Sequence, residues 1–246
     1  MKLRHALFAA VSAAMLASYA PALQAQATPP AVAAAIADTN RTDADRMGDA
    51  NRHPAEMMTF AGFKAGDKVA ELVPGGGYVS RLISKIVGSN GHVYAVNLPT
   101  LNERFKTGLD ATKAMPAYAN ITVSEQPYGT MKFPEPLDAV WTSENYHDFQ
   151  NMNMFQTDTN AMNKAVFAAL KPGGHYIITD YAGAAGTGKT QTGSLHRIDP
   201  EVIKQEVTAA GFVLEAESKA LDNPADNRTE RSRQGSAQVF FKFRKP

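Results

Sequence analysis

Lys68 to Asn97 reads K-V-A-E-L-V-P-G-G-G-Y-V-S-R-L-I-S-K-I-V-G-S-N-G-H-V-Y-A-V-N, and this stretch decides the fold. A short apolar run, Val69 to Val73, stops at Pro74 and is followed by Gly75, Gly76 and Gly77. From Tyr78 to Val87 the apolar residues Val79, Leu82, Ile83, Ile86 and Val87 recur at helical spacing. A second apolar run, Val93 to Val96, ends at Asn97. The pattern predicts strand, glycine turn, helix, strand, a βαβ unit of about 30 residues. A glycine turn at the end of a first strand lets backbone approach a ligand, and the helix behind it offers free N–H groups. The ligand is therefore expected here.

Outward from this unit the alternation continues. Downstream, strands are expected at Ile121–Val123, Leu137–Trp141 and His175–Asp180, with helical stretches over Leu98–Met115 and Thr157–Leu170. Lys171-Pro172-Gly173-Gly174 stops the second of these. Pro200–Ala210 reads as a last helix with Gly211 beyond it, and Phe212–Glu217 and Gln238–Phe243 as strands with no helix between them. Strand–helix alternation implies a doubly wound, mostly parallel α/β sheet, and the last two strands imply a terminal antiparallel hairpin. Upstream, Ala31–Ala37 is a short helix or a tether. Thr42-Asp43-Ala44-Asp45 starts a helix that breaks near His53-Pro54, and Pro54 opens another that ends at Gly62. Arg52 and His53 beside that break are expected to be solvated or capping.

The chain has 246 residues, 44% hydrophobic and 20% charged, with a formal net charge of +1. That balance suits one α/β domain and provides no global attraction to nucleic acid. Cysteine is absent, which excludes disulfides, thiolate nucleophiles and cysteine-bound zinc. Lys2, Arg4 and His5, the apolar Ala6–Ala20 and the Ala25-Gln26-Ala27 site follow the pattern of a secretory signal peptide. Residues 1–27 are thus expected to be a leader cleaved after Ala27 or Ala25, 28–60 a helical extension and 61–246 the main domain. The expected location is exported, in the periplasm. No second apolar segment approaches the ~20 residues a membrane span needs. The mature chain is therefore expected not to insert stably in a bilayer.

The order of elements resembles class I S-adenosylmethionine-dependent methyltransferases from about Asp43 onward. Glu71–Tyr78 resembles the family's first motif, Leu137–Val140 its fourth strand, Leu170–Asp180 the turn into its fifth, and His196–Leu214 the helix and strand before its terminal hairpin. Arg52–Val69 is similar to the N-terminal stretch of a group of small exported proteins predicted to be methyltransferases. The resemblance implies a seven-stranded Rossmann-like sheet and S-adenosyl-L-methionine as cofactor. Glu71 would orient its methionine end, with Pro74, Gly75, Gly77 and Tyr78 passing beneath it. Asn97 would meet the ribose and Glu125, in Ser124-Glu125-Gln126, the adenine. Val73 stands where the motif commonly has glycine, and Asn97 where an acid is usual.

Methyl transfer from a sulfonium needs the donor held and an acceptor aimed, with no obligatory triad or metal. The acceptor, a small molecule or a peptide, is expected where the fourth strand ends, at Asn145, Tyr146, His147 and Asp148. Asn145 is also counted on the cofactor side. His147 beside Asp148 could deprotonate a hydroxyl or amine, or with Asn145 merely bond the loop. Neighbouring loop residues need not act as a pair. His196 could close over the same site or cap the next helix with Asp199, and Asp180 could line the pocket. His147, Asp148 and His196 have metal-binding side chains but no recognisable ligand spacing, so no metal is expected. Gly183–Thr190 matches the phosphate-loop pattern G-x-x-x-x-G-K-T, yet no helix start follows it, and a flexible loop is expected. Asp222–Ser236, with Arg228, Arg231 and Arg233, is expected to be a solvated hairpin loop or a lid. An exported binding protein that uses the fold for an adenosyl-type or aromatic ligand, without turnover, stays open beside the enzyme.

Overall fold

The computed structural model describes residues 27–246 except 102, 104–106, 152–154, 156 and 233, so the expected leader up to Gln26 and also Arg233 lie outside the described residues. Seven strands form one sheet in the order β3-β2-β1-β4-β5-β7-β6. They are β1 Lys68–Leu72, β2 His92–Asn97, β3 Ile121–Glu125, β4 Leu137–Ser143, β5 Leu170–Tyr181, β6 Val213–Glu217 and β7 Gln238–Arg244. The first five run parallel, and β7 joins β5 and β6 antiparallel. The expected doubly wound sheet with a terminal hairpin is what forms.

The helices are α1 Pro30–Ile36, α2 Asp43–Arg52, α3 Pro54–Ala61, α4 Tyr78–Val87, α5 Thr107–Lys113, the single turn α6 Tyr146–Phe149, α7 Thr159–Ala169 and α8 Pro200–Ala209. Successive side chains of a strand point to opposite faces, so a sheet covered on both sides needs strands apolar on both. Ala70, Leu72, Val140, Tyr176, Ile178 and Phe241 face one core, which α7 and α8 close with Met162, Val166, Ile203 and Val207. Val69, Ala139, Trp141, Ile177 and Phe240 face the other, closed by α1, α3 and α4. Trp141 is fully buried there, in edge contact with Phe63 and Phe240.

Three local expectations change. The weak helical stretch over Leu98–Met115 yields only α5 among the described residues, because Pro116 and the turn at Leu98–Leu101 bound it. The fifth strand begins earlier, at Leu170. Lys171–Gly174 form an irregularity in its pairing with β4, which jumps from Leu137↔Leu170 to Ala139↔His175. The break at His53 is a left-handed residue, φ 49°, that ends α2 and lets Pro54 start α3. No helix among the described residues is long and apolar enough to cross a membrane.

Candidate functional site

The strand order reverses between β1 and β4, and ligands in such sheets bind at the carboxyl ends of the strands beside that switch point. The chain leaving β1 there is bent. Val73 has φ 53°, Gly75 φ 54° and Gly77 φ 80°. A β-branched residue rarely adopts that region, so Val73 holds a backbone shape more usual for glycine. A Cβ on Gly75 would meet open space. One on Gly77 would lie 3.0–3.2 Å from Arg81, Thr112 and Leu109. Gly75 therefore keeps the turn open outward, while Gly77 serves packing within the protein. Gly108 in α5, not singled out by the sequence, completes that packing: a Cβ there would lie 2.9 Å from the Gly76 Cα.

The N-terminal helices hold this turn from the other side. Arg81, buried in α4, bonds Asp45 of α2 at 2.6 and 2.5 Å and donates to the Gly76 carbonyl at 2.9 Å. Tyr78 donates to Asp49 at 2.6 Å, with the Arg41 and Arg52 guanidinium groups over its ring at 5.4 and 4.8 Å. Tyr78 thus bonds the α2 helix. Arg52 is half-buried and reaches Glu144 beyond β4 at 3.8 Å, so it is neither simply solvated nor a cap. These contacts do not appear as local motifs, because their partners are 29 to 92 residues apart.

Glu71 is buried at the end of β1 and accepts a hydrogen bond from Ser80. Burial raises its carboxyl to about 8, against Ser80, Arg81 and Arg52, which favour the charged form. Pro74 is buried in the turn, and Asn97 is buried at the end of β2 with its Oδ1 unbonded. Glu125 is exposed opposite Asn97 in register. Tyr128, which the sequence did not mark, accepts from the Val73 N–H at 3.0 Å and donates to the Val96 carbonyl at 2.9 Å, tying the two strand ends together.

The second pole lies past β4. Asn145 precedes α6 without capping it, its amide turned back on the Ser143 carbonyl. His147 and Asp148 then fall in one helical turn, and contrary to the expectation for loop neighbours they converge. His147 Nε2 lies 3.2 Å from Asp148 Oδ1 and 3.1 Å from His196 Nδ1, and His196 Nδ1 lies 3.1 Å from Asp148 Oδ1. Asp180, at the end of β5, does not face a pocket freely. Its carboxylate accepts from the His147 backbone N–H at 2.6 Å and pairs with Nδ1 of the ring at 2.7 Å. Burial alone would lower the His147 pKa, but Asp180 and Asp148 overrule it and hold the ring up at about 10. His196 is displaced the other way, downward, by burial and by His147 and Arg231, against Asp148.

His196 does not cap α8. Asp199 does so alone, accepting from Glu201 N–H, and its other oxygen accepts from Gly186 and Gly188 N–H. The backbone cradle of the phosphate-loop look-alike is thus filled by the protein's own carboxylate. Lys189 pairs with Glu206, and the helix opens only at Pro200. The 222–236 segment is not simply solvated either. Buried Arg197 bonds Asp226 at 2.8 and 3.1 Å, the Glu230 carbonyl and Ser236. That anchor brings Arg231 and Ser232 over a cavity of about 150 Å³ lined also by His147, Tyr181, Leu195 and His196. A second cavity of about 160 Å³ is lined by Gly48, Asn51, Arg52, Glu144, Gln234, Gln238 and also Tyr181. Larger clefts of about 600 and 570 Å³ lie elsewhere, at Gly129–Pro136 with α7 and at the opposite ends of the strands.

No family model matches the chain. A stretch of 70 residues is 39% identical to a protein-L-isoaspartate O-methyltransferase of Ignicoccus hospitalis, and it spans 28% of this chain and 31% of that relative's length. Among solved structures, an S-adenosylmethionine-dependent methyltransferase from Aquifex aeolicus matches with TM-score 0.58 and 16% identity, over 81% of this chain and 94% of that one. The glycopeptide N-methyltransferase MtfA, solved with S-adenosyl-L-methionine, matches with TM-score 0.55 and 14% identity, over 78% and 86%. The [4+2]-cyclase SpnF matches with TM-score 0.57 and 15% identity, over 85% and 84%. The fold is that of class I methyltransferases, a fold that also carries other chemistry.

Proposed function

We propose that this protein transfers a methyl group from S-adenosyl-L-methionine to a hydroxyl or amine of a small molecule or peptide. The observation that carries the reading is the donor end of the sheet. A glycine turn open on one side, a buried carboxyl at Glu71 and a buried, unbonded Asn97 oxygen sit together at the switch point. An unbonded buried amide oxygen is costly unless a donor meets it, and a ligand hydroxyl is one such donor. The local match to an O-methyltransferase supports the same assignment.

When bound, the donor supplies a methyl already activated on a sulfonium. Glu71 would pair with its amino group, Asn97 would accept from a ribose hydroxyl, and Glu125 lies within reach of the adenine side. Gly75 leaves the turn's outward face free. On the acceptor side, Asp180 holds the His147 ring in one orientation, with Nε2 directed to Asp148 and His196. His196, whose pKa is lowered, would receive the acceptor's proton, with Asp148 beside it. The walls that the two cavities share at Tyr181 would aim the acceptor. The leader pattern read from residues 1–27 supports a periplasmic location for this activity.

The test is calorimetric titration of the purified protein with S-adenosylmethionine and with its demethylated product. Saturable binding that Gly75→Val weakens at least tenfold is expected. Undetectable binding at millimolar donor would remove the reading. Tight binding of the donor without turnover across hydroxyl and amine acceptors would move it to the non-catalytic binding protein.

A further inference from the structure

We propose that His147, Asp148 and His196 form a binding site for one divalent transition-metal ion. The geometry carries it. His147 Nε2, His196 Nδ1 and Asp148 Oδ1 make a nearly equilateral triangle with sides of 3.1, 3.2 and 3.1 Å. Its centre is about 1.8 Å from each corner, so an ion about 1 Å above the plane would reach the ~2.0–2.2 Å of zinc–nitrogen and zinc–oxygen bonds. The sides also match the edge of about 3.3 Å that a tetrahedral ion at ~2.05 Å imposes on its ligands. Two imidazoles and one carboxylate on one side of an ion, with positions left open, suit zinc, iron, nickel or manganese better than calcium or magnesium.

Two further observations point to a ligand. Asp148 is buried at 6% exposure, and its Oδ1 has only the two imidazoles as partners, His147 Nε2 at 3.2 Å and His196 Nδ1 at 3.1 Å. Second, Asp180 already binds Nδ1 of His147 at 2.7 Å. A carboxylate on the far nitrogen is the support that metal-bound histidines usually have, and it aims Nε2 at the other two corners.

The third corner is also built rather than incidental. His196 sits at φ 53°, in the left-handed region that few residues other than glycine adopt. Arg197 after it is buried and bonded to Asp226, and Ile198 bonds to the Tyr181 carbonyl at 3.1 Å. Both histidines line the cavity of about 150 Å³ shared with Tyr181, Arg231 and Ser232. A water or an acceptor oxygen there would complete the coordination. The site does not depend on methyl transfer. If that reading also holds, and this consequence rests on it, the ion would lower the pKa of an acceptor hydroxyl bound to it.

The experiment is titration of tag-free, chelator-treated protein with Zn²⁺ by calorimetry and with Co²⁺ by visible absorption. One ion per chain is expected, with a Co²⁺ spectrum characteristic of nitrogen and oxygen ligands in a low-coordinate site, and Mg²⁺ at equal concentration should not compete. His196→Ala and Asp148→Asn should abolish the spectrum. Asp180→Asn should keep it with affinity reduced about 10–100-fold. His175→Ala, at a surface histidine paired with Glu215, should change nothing. Circular dichroism confirms that each variant is folded. Absence of binding in the wild-type protein overturns the proposal, as does binding that His196→Ala and Asp148→Asn leave intact. Binding lost equally in His175→Ala would mark surface adsorption and overturn it too.

Discussion

Removing the Asp45 carboxylate should unfasten the N-terminal helices from the glycine turn. Asp45 and Arg81 are 4% and 3% exposed, and they meet through two bonds of 2.6 and 2.5 Å. Asp45→Ala leaves the guanidinium buried with only the Gly76 carbonyl and the Thr112 hydroxyl as acceptors. An uncompensated buried charge of this kind costs about 3–5 kcal/mol. Asp45 also completes the capping box with Thr42, worth about 1 kcal/mol more. For a chain of this size each kcal/mol moves Tm by about 2–4 °C, so a fall on the order of 10–20 °C is expected. Arg81→Met in the same chain removes the stranded charge, and the double variant should recover a large part of that loss. Thr42→Ala isolates the capping term at about 1 kcal/mol. Thermal and urea unfolding of the wild type, Asp45→Ala, Arg81→Met and the double variant measure the cycle. A Tm for Asp45→Ala within about 3 °C of the wild type, or a double variant no better than the single one, would refute the view that this pair fastens α2 to α4.

Glu71 should make stability fall with pH. Its carboxyl ionises near 4.5 in the unfolded chain and near 8 in the folded one, so stability is full below 4.5 and is lost as pH rises through 8. Glu71→Gln should flatten that decline in urea unfolding between pH 5 and 9, and an unchanged slope would count against it. Because a donor ammonium needs the ionised carboxylate, donor affinity should rise with pH up to about 8 in the wild type and lose that rise in Glu71→Gln. Asn97→Asp should tighten donor binding about 5–10-fold through a charge-assisted bond while lowering the ligand-free Tm, since the new carboxylate is buried and unpaired. Val73→Gly relieves about 1–2 kcal/mol of left-handed strain against the loss of a half-buried side chain, so urea unfolding should show a net change within about 1 kcal/mol. Leu72→Ala, fully buried beside it, should cost about 2–5 kcal/mol.

Position Val73 shows how much of the donor end was legible. As a sequence letter it is a departure from the glycine the motif commonly carries. Its φ of 53° is a backbone shape that glycine adopts freely and that valine holds under strain. Glycines were marked correctly as a turn, but their duties were not separable, because a missing Cβ reads the same whether it faces a ligand or Arg81. Tyr128 and Gly108 were invisible for a related reason. Nothing local to either residue signals that it packs against a turn dozens of residues earlier.

By itself the sequence determined the strand and helix periods, the turn chemistry between them and hence the α/β class, because each depends on residues within one or two turns of one another. It also determined which residue types were available at the strand ends. The tertiary structure decided which of those residues meet. His147 and His196 are 49 residues apart and Asp180 is 33 from His147, and only the parallel stacking of β4 against β5, with the anchor at Arg197, brings their polar atoms within about 3 Å of one another. Such convergence is a property of sheet order and loop anchoring, set by packing energy summed over the whole core, and no spacing along the chain encodes it.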